Sequence, residues 1–168
     1  MKGYNYCPTC TSSLEKKDDG YKHCSNAECH FVFYSNPTPV VAAIIEYGDK
    51  EVLLAHNVAW PSQWYALITG FLEYGEHPAE AVLREVKEET NLDATLGSFI
   101  GHYTFRRMNQ IIMVYHIKAT GEIRLNEELD DYKLVPFDQV KTWPAGTGRG
   151  LKDFLEGLGY EVEEVPFS

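Results

Sequence analysis

No apolar run in the 168 residues approaches the length that crosses a bilayer, so a helical membrane span is not expected. Cysteine is missing beyond residue 29, all four lying within the first 29 residues. Basic residues are scarce, 15 Lys and Arg against 25 Asp and Glu, and the net charge is −10. That balance argues against non-specific nucleic-acid binding, which needs a basic face to neutralise phosphates. The chain has no repeat at solenoid periods and no low-complexity tract, which excludes a repeat array and a wholly disordered segment. Residues 1–7 lack the apolar core of a secretory signal, so the cytoplasm is the expected compartment. Composition is otherwise ordinary for a globular protein, with room for one good-sized core and a small appendage.

What is present concentrates in two places. The first is Cys7-Pro8-Thr9-Cys10, thirteen residues, then Cys24-Ser25-Asn26-Ala27-Glu28-Cys29. Two close pairs split by a hairpin-length segment suit a tetrahedral thiolate site for Zn²⁺. Tyr4–Tyr6 and Phe31–Tyr34 are expected as short flanking strands, with residues 16–20 as a polar turn. The wider second gap keeps His23 and His30 open as substitute ligands, and a disulfide pairing is the main alternative, disfavoured in a reducing compartment. A closed four-ligand site is structural and would hold a fragment too small for its own core. A nucleic-acid-binding role fits less well, because residues 1–36 are electrically neutral and lack arginine.

The second place is Gly70-Phe71-Leu72-Glu73-Tyr74-Gly75-Glu76, seven residues, then Arg84-Glu85-Val86-Lys87-Glu88-Glu89-Thr90-Asn91-Leu92. Pro78 suits the first turn of a helix, and good helix formers run unbroken from Ala79 to Thr90. Glu85, Glu88 and Glu89 stand at i, i+3 and i+4, so three carboxylates share one face. Such repulsion is best relieved by a hard cation, for which Mg²⁺ or Mn²⁺ are the natural candidates. The alternative is a solvated face with ordinary ion pairs from Arg84 to Glu80 and Glu88. Asn91 falls just past the helix end, where Asn follows Gly in tolerance of left-handed backbone.

This spaced pattern resembles the Nudix box, the signature of hydrolases that cut a diphosphate linked to another group, with Asn91 in place of the usual glycine. Joined to the cysteine head through Asn36-Pro37-Thr38-Pro39-Val40-Val41, it resembles the zinc-ribbon branch of that family, which includes NADH pyrophosphatases. The resemblance implies a zinc ribbon over 1–36, then an α/β/α sandwich with a mixed sheet over 37–168. It implies that Glu85, Glu88 and Glu89 bind Mg²⁺ or Mn²⁺, with the Thr69 carbonyl as a further oxygen. It implies that Arg84 pairs with Glu73 or Glu76 to hold the loop, and that a distant acidic loop, best matched by Glu128, adds a carboxylate, with an exposed acidic turn among Asp130 and Asp131 as the alternative. The general base stays open among Glu85, Glu88 and Glu128. A homodimer is expected from the resemblance alone.

The proline-aromatic stretch that follows the box in NADH pyrophosphatases is absent. The equivalent region reads Gly101-His102-Tyr103-Thr104-Phe105-Arg106-Arg107-Met108-Asn109-Gln110. Arg106 and Arg107 are candidate phosphate grips or a solvated hairpin tip. Phe105, Trp60 and Trp64 are candidate base-stacking groups, with core packing as their alternative. His56, His77, His102 and His116 show no metal spacing. The expected substrate is a small nucleoside diphosphate derivative (ADP-ribose, an NDP-sugar, NAD(H) or a free nucleotide), with a capped RNA end the one nucleic-acid exception. The rival reading is a nucleotide sensor that uses the ribbon as its interaction surface.

Further elements follow from pattern. Strands are expected over 40–47 and 51–55 around the Gly48-Asp49 turn, then 65–69, 101–105, 110–119 and 133–136. A second helix is expected over 148–158, with Leu151, Phe154, Leu155 and Leu158 facing the core.

Overall fold

Eight consecutive positions, Val40 to Tyr47, apolar but for Glu46, build the strand around which the larger unit is organised. The computed structural model describes residues 3–166, so the first two residues of the expected ribbon and the last two of the expected catalytic domain lie outside the described residues. The chain divides into two compact units, Met1–Pro37 and Thr38–Ser168.

In the first unit, β1 (Leu14–Lys16), β2 (Lys22–Cys24) and β3 (Val32–Phe33) form an antiparallel meander. The expected strand at Tyr4–Tyr6 reduces to a single bridge from Tyr6 to Ser13. Among the described residues of this unit only Cys7 and Leu14 are buried, far too little apolar surface to offset chain entropy.

The second unit holds β4 (Thr38–Tyr47), β5 (Glu51–Asn57), β6 (Ile68–Phe71), α1 (Pro78–Thr90), β7 (Asp93–Phe105), β8 (Gln110–Thr120), β9 (Leu129–Pro136) and α2 (Thr147–Gly157). The sheet order is β7-β8-β4-β5-β9, with β6 also on β4. Only β4 and β8 run parallel, so the sheet is mixed as expected. β5 pairs with β4 only at Glu46 and Tyr47, whereas β6 takes the same edge from Val40 to Ala43. That shared edge delivers the chain from Phe71 into the box loop beside the start of β4.

Strand alternation sorts the core into two layers. Val40, Ala42 and Ile44 join Leu151, Phe154 and Leu155 of α2 on one face. Val41, Ala43 and Ile45 join Ala81, Val82 and Val86 of α1 on the other. Val82 and Val86 are shut off from solvent, and each contributes roughly 1.5–3 kcal/mol of burial energy. Among the described residues no helix is long and apolar enough to cross a membrane.

Four expectations need correction. β6 starts at Ile68, with only Ala66 bridging to Ala55 before it. β7 begins at Asp93, eight residues before the expected start; its exposed residues and register breaks mask the alternation of this edge strand. β9 begins at Leu129, because pairing with β5 recruits the polar residues that precede Lys133. Leu158 is 54% exposed, since α2 ends at Gly157 and Leu158 is its C-cap.

Candidate active site

The helix that carries the glutamates is fixed at both ends. Pro78 sits at its start, and His77 is the N-cap, its Nδ1 accepting from the Ala79 N–H at 3.2 Å. Glu80 returns the contact by accepting from the His77 N–H, completing a capping box. Histidine is a poor cap former by preference, so the sequence carried no signal for this role. At the other end Asn91 adopts the left-handed conformation, φ 61°, as its position suggested.

Arg84 is the hub of the box. Its Nε and Nη2 donate to the two oxygens of Glu76 at 2.8 and 2.9 Å, and Nη2 also donates to the Phe71 carbonyl. Of the two carboxylates expected for it, Glu76 is therefore the partner; Glu73 offers its backbone N–H to the same Glu76 side chain. The bidentate guanidinium, aided by that N–H, holds the Glu76 carboxyl down to about 2. Arg84 Nη1 meanwhile donates to Glu85 at 2.8 Å and Glu88 at 3.0 Å. One cation thus ties the loop to the helix and holds two of the three glutamates Glu85, Glu88 and Glu89.

Gly70 has a steric reason to be glycine. A Cβ there would stand 1.8 Å from Glu85 Cδ and 2.3 Å from its Cγ. The Glu85 side chain fills the space over the Gly70 backbone and is driven into a partly buried position. Burial raises its carboxyl above the ordinary range, against the opposing pull of Arg84.

Glu89 has no such cation. Burial, and then the charges of Glu85, Glu128 and Glu88, push its carboxyl up to about 8. Glu128 is thereby near enough for its charge to act on Glu89, although 39 positions separate them. The Glu128 loop docks on the end of α1. The Arg124 N–H donates to the Thr90 carbonyl at 2.9 Å and the Asn126 N–H to the Glu89 carbonyl at 3.2 Å. Asn126 Oδ1 then accepts from the Glu128 N–H at 3.1 Å.

Among the described residues these glutamate oxygens do not form one converging set. Arg84 engages Glu85 and Glu88. Even so, a set of hard carboxylate oxygens that resists ionisation at Glu89 fits Mg²⁺ or Mn²⁺, which would remove that opposition.

Among the described residues, the set of metal-ligating atoms that does converge is Cys7, Cys10, Cys24 and Cys29, all within 4.8 Å of one another. The Sγ atoms of Cys7 and Cys29 are 3.7 Å apart and those of Cys10 and Cys24 are 3.3 Å apart. A disulfide needs about 2.05 Å. Four sulfurs at about 2.3 Å from a tetrahedral Zn²⁺ stand about 3.8 Å apart, which the cysteines nearly match. The thiols are free, and Ser12, through its hydroxyl and N–H, holds Cys10 down to about 6. His23 Nε2 is on Asp19 at 2.7 Å, and neither it nor His30 belongs to the set.

Other candidates separate from the cluster. Arg106 and Arg107 are exposed in the 3₁₀ turn between β7 and β8. That turn lies at the end of the sheet where β6 enters the box loop, since Thr38 pairs with Gln110 and Val40 with Phe71. Phe105 packs with the α2-side core and under Gly146, so packing accounts for it. His116 is buried, paired with Glu46 at 2.7 Å and stacked on Phe154. His56 is buried between Asp130 and the Pro61 carbonyl. His102 is exposed, its ring edge-on to Phe99. A cavity of about 210 Å³ lined by Glu46, Lys50, Phe137, Leu158 and Tyr160 lies at the opposite end of β4, and none of the four glutamates lines it.

A mixed sheet between two helices, with an arginine-clamped carboxylate cluster on one of them, defines a Nudix fold and its box. The family model for the NUDIX domain matches residues 36–156, and the chain belongs to that family. It is 29% identical over 147 residues to the NAD-capped RNA hydrolase NudC of Mannheimia succiniciproducens, covering 83% of this chain and 55% of the relative. It is 31% identical over 110 residues to the human NAD-capped RNA hydrolase NUDT12, covering 61% of this chain and 22% of that one. The chain thus spans about half or less of the length of these relatives. A NUDIX hydrolase from Nitrosomonas europaea shares the fold over 97% of this chain and 99% of its own, with a TM-score of 0.74 at 20% identity.

Proposed function

We propose that this chain is a divalent-metal-dependent pyrophosphohydrolase that cuts the diphosphate linkage of a nucleoside diphosphate derivative by attack of water at phosphorus. The observation that carries the reading is the clamped box: Arg84 holds Glu85 and Glu88 against the Glu76 loop, Glu89 shares their helix, and the Glu128 loop is tied to the end of that helix through Asn126. Mg²⁺ or Mn²⁺ held by these four, with the Thr69 carbonyl as a possible further oxygen, would neutralise the diphosphate and acidify the attacking water.

The chain's own residues do the rest. Arg84 fixes Glu85 and Glu88 relative to the Glu76 loop and takes no part in bond making. One of Glu85, Glu88 and Glu128 accepts the proton of the water. The new P–O bond forms as the bridging P–O bond breaks, and the leaving phosphate departs with the bridging oxygen. Arg106 and Arg107, at the same end of the sheet, supply forks for the substrate's phosphates.

Relatives that act on NAD-capped RNA favour a dinucleotide substrate of the NAD(H) type, free or at an RNA end, ahead of ADP-ribose and NDP-sugars. The four cysteines hold Zn²⁺ as a structural ribbon over 1–36, ahead of the catalytic domain over 37–168. A homodimer completes the reading and rests on the resemblance alone.

The test is a panel of NADH, NAD⁺, ADP-ribose, NDP-sugars and NAD-capped RNA, with Mg²⁺ or Mn²⁺, in ¹⁸O-labelled water. Metal-dependent turnover with label in one product phosphate is expected. Metal-independent turnover, or label at carbon, would overturn it.

A further inference from the structure

The glutamate that completes the cluster comes from a loop, and a loop aims a carboxylate only if something pins it. On its N-terminal side Glu128 is tied to α1 through Asn126. On its C-terminal side the Glu128 carbonyl accepts from the Val58 N–H at 3.0 Å. There the pairing of β5 with β9 slips. His56 pairs with Asp131 and Asn57 with Leu129, leaving Asp130 as the extra residue of a bulge. Bulges re-aim the side chains beside them.

The extra residue turns its side chain onto His56. Asp130 Oδ1 meets His56 Nδ1, and the Pro61 carbonyl faces His56 Nε2 at 3.2 Å. Both ring nitrogens thus face acceptors, an arrangement that an imidazolium satisfies in full. The ring is 6% exposed and lies 5.5 Å from the Tyr65 ring. The Tyr65 hydroxyl donates to Asp131 at 2.5 Å, and Lys133 Nζ sits 3.7 Å over the Tyr65 ring. Two successive aspartates after Glu128 are therefore anchored to a rigid pair of rings. Ordinary strand pairing does not require this, because a β5–β9 ladder without a bulge leaves no residue to anchor.

We propose that His56, acting through Asp130, is a positioning residue that holds the bulge and with it the Glu128 loop against the end of α1 beside Glu89. The inference rests on the reading of Glu128 as part of the metal-holding cluster. Groups that orient metal ligands from behind change metal affinity or turnover by about 10–100-fold when removed.

The test is a double-mutant cycle in the full chain. Asp130→Ala is the first variant, because the Asp130 side chain is 54% exposed. His56→Gln is the second. Each is combined with Glu128→Gln, and unfolding temperature is measured throughout. Each single variant is expected to lower kcat about tenfold or more, with KM unchanged, and to weaken Mn²⁺ binding measured by the free-ion spin-resonance signal. In the Glu128→Gln background neither should have a further effect. Equal losses in both backgrounds, or no loss in kcat and Mn²⁺ affinity, would overturn the inference. If Glu128→Gln alone leaves kcat and Mn²⁺ affinity intact, the reading of the cluster fails and the inference falls with it. If no substrate is turned over, only the reading of the reaction fails, and the same cycle in Mn²⁺ affinity decides the inference.

Discussion

Replacing Gly70 by alanine adds one methyl group in a place that Glu85 already fills. The new Cβ would overlap Cδ, Oε1 and Cγ of Glu85 at 1.8, 1.9 and 2.3 Å. Bending the tip of the side chain cannot relieve this, because Cγ itself is too close. Glu85 must leave its rotamer and lose its 2.8 Å bond from Arg84. Overpacking of this kind costs about 1–3 kcal/mol. In a chain of this size each kcal/mol lowers the unfolding temperature by about 2–4 °C, so a drop of about 2–12 °C is expected. If Glu85 holds the metal as proposed, displacing it should lower kcat by about 10–100-fold. The assay is thermal unfolding and turnover for Gly70→Ala, Glu85→Ala and the double variant. With Glu85 shortened, alanine at 70 should be neutral or slightly stabilising, since it restricts the unfolded chain. An equal loss of unfolding temperature in both backgrounds would refute the steric argument.

Glu76 sets a pH dependence. Its carboxyl is held near 2, below the ordinary 4.5, so the Arg84 clamp contributes stability that is complete above pH 4.5 and fades as pH falls toward 2. The gap in unfolding temperature between the parent and Glu76→Gln should be full at pH 6 and should narrow below about pH 4.5; a constant gap would contradict this. Cys24→Ser should abolish stoichiometric zinc, measured by elemental analysis, and make residues 1–36 sensitive to proteolysis; a zinc-free yet protease-resistant ribbon would contradict the structural role. Arg106→Ala and Arg107→Ala should each raise KM several-fold with little change in kcat; unchanged kinetics would return them to a solvated hairpin tip.

The box and its helix were legible because their information is local. Pro78, the unbroken helix formers and Asn91 mark α1 to the residue, and spacing alone puts Glu85, Glu88 and Glu89 on one face. The four cysteines were equally plain, since paired spacing implies convergence. Long-range features were not legible. The reason for Gly70 lies in a side chain fifteen positions away, and the bulge at Asp130 exists only through pairing with β5. β7 was half missed because an edge strand with exposed Leu96 and Phe99 and two register breaks does not alternate cleanly. His77 capped a helix against its own preference, and His56 found its role only once β9 was beside β5.

The most direct measurement of the central claim is the turnover and unfolding temperature of Glu89→Gln with saturating Mg²⁺ or Mn²⁺. Loss of turnover by about 100-fold or more, in a protein that unfolds no earlier than the parent, is the expected result. Parental turnover in the folded variant would contradict the account, because the half-buried Glu89 carboxyl would then have no part in the chemistry.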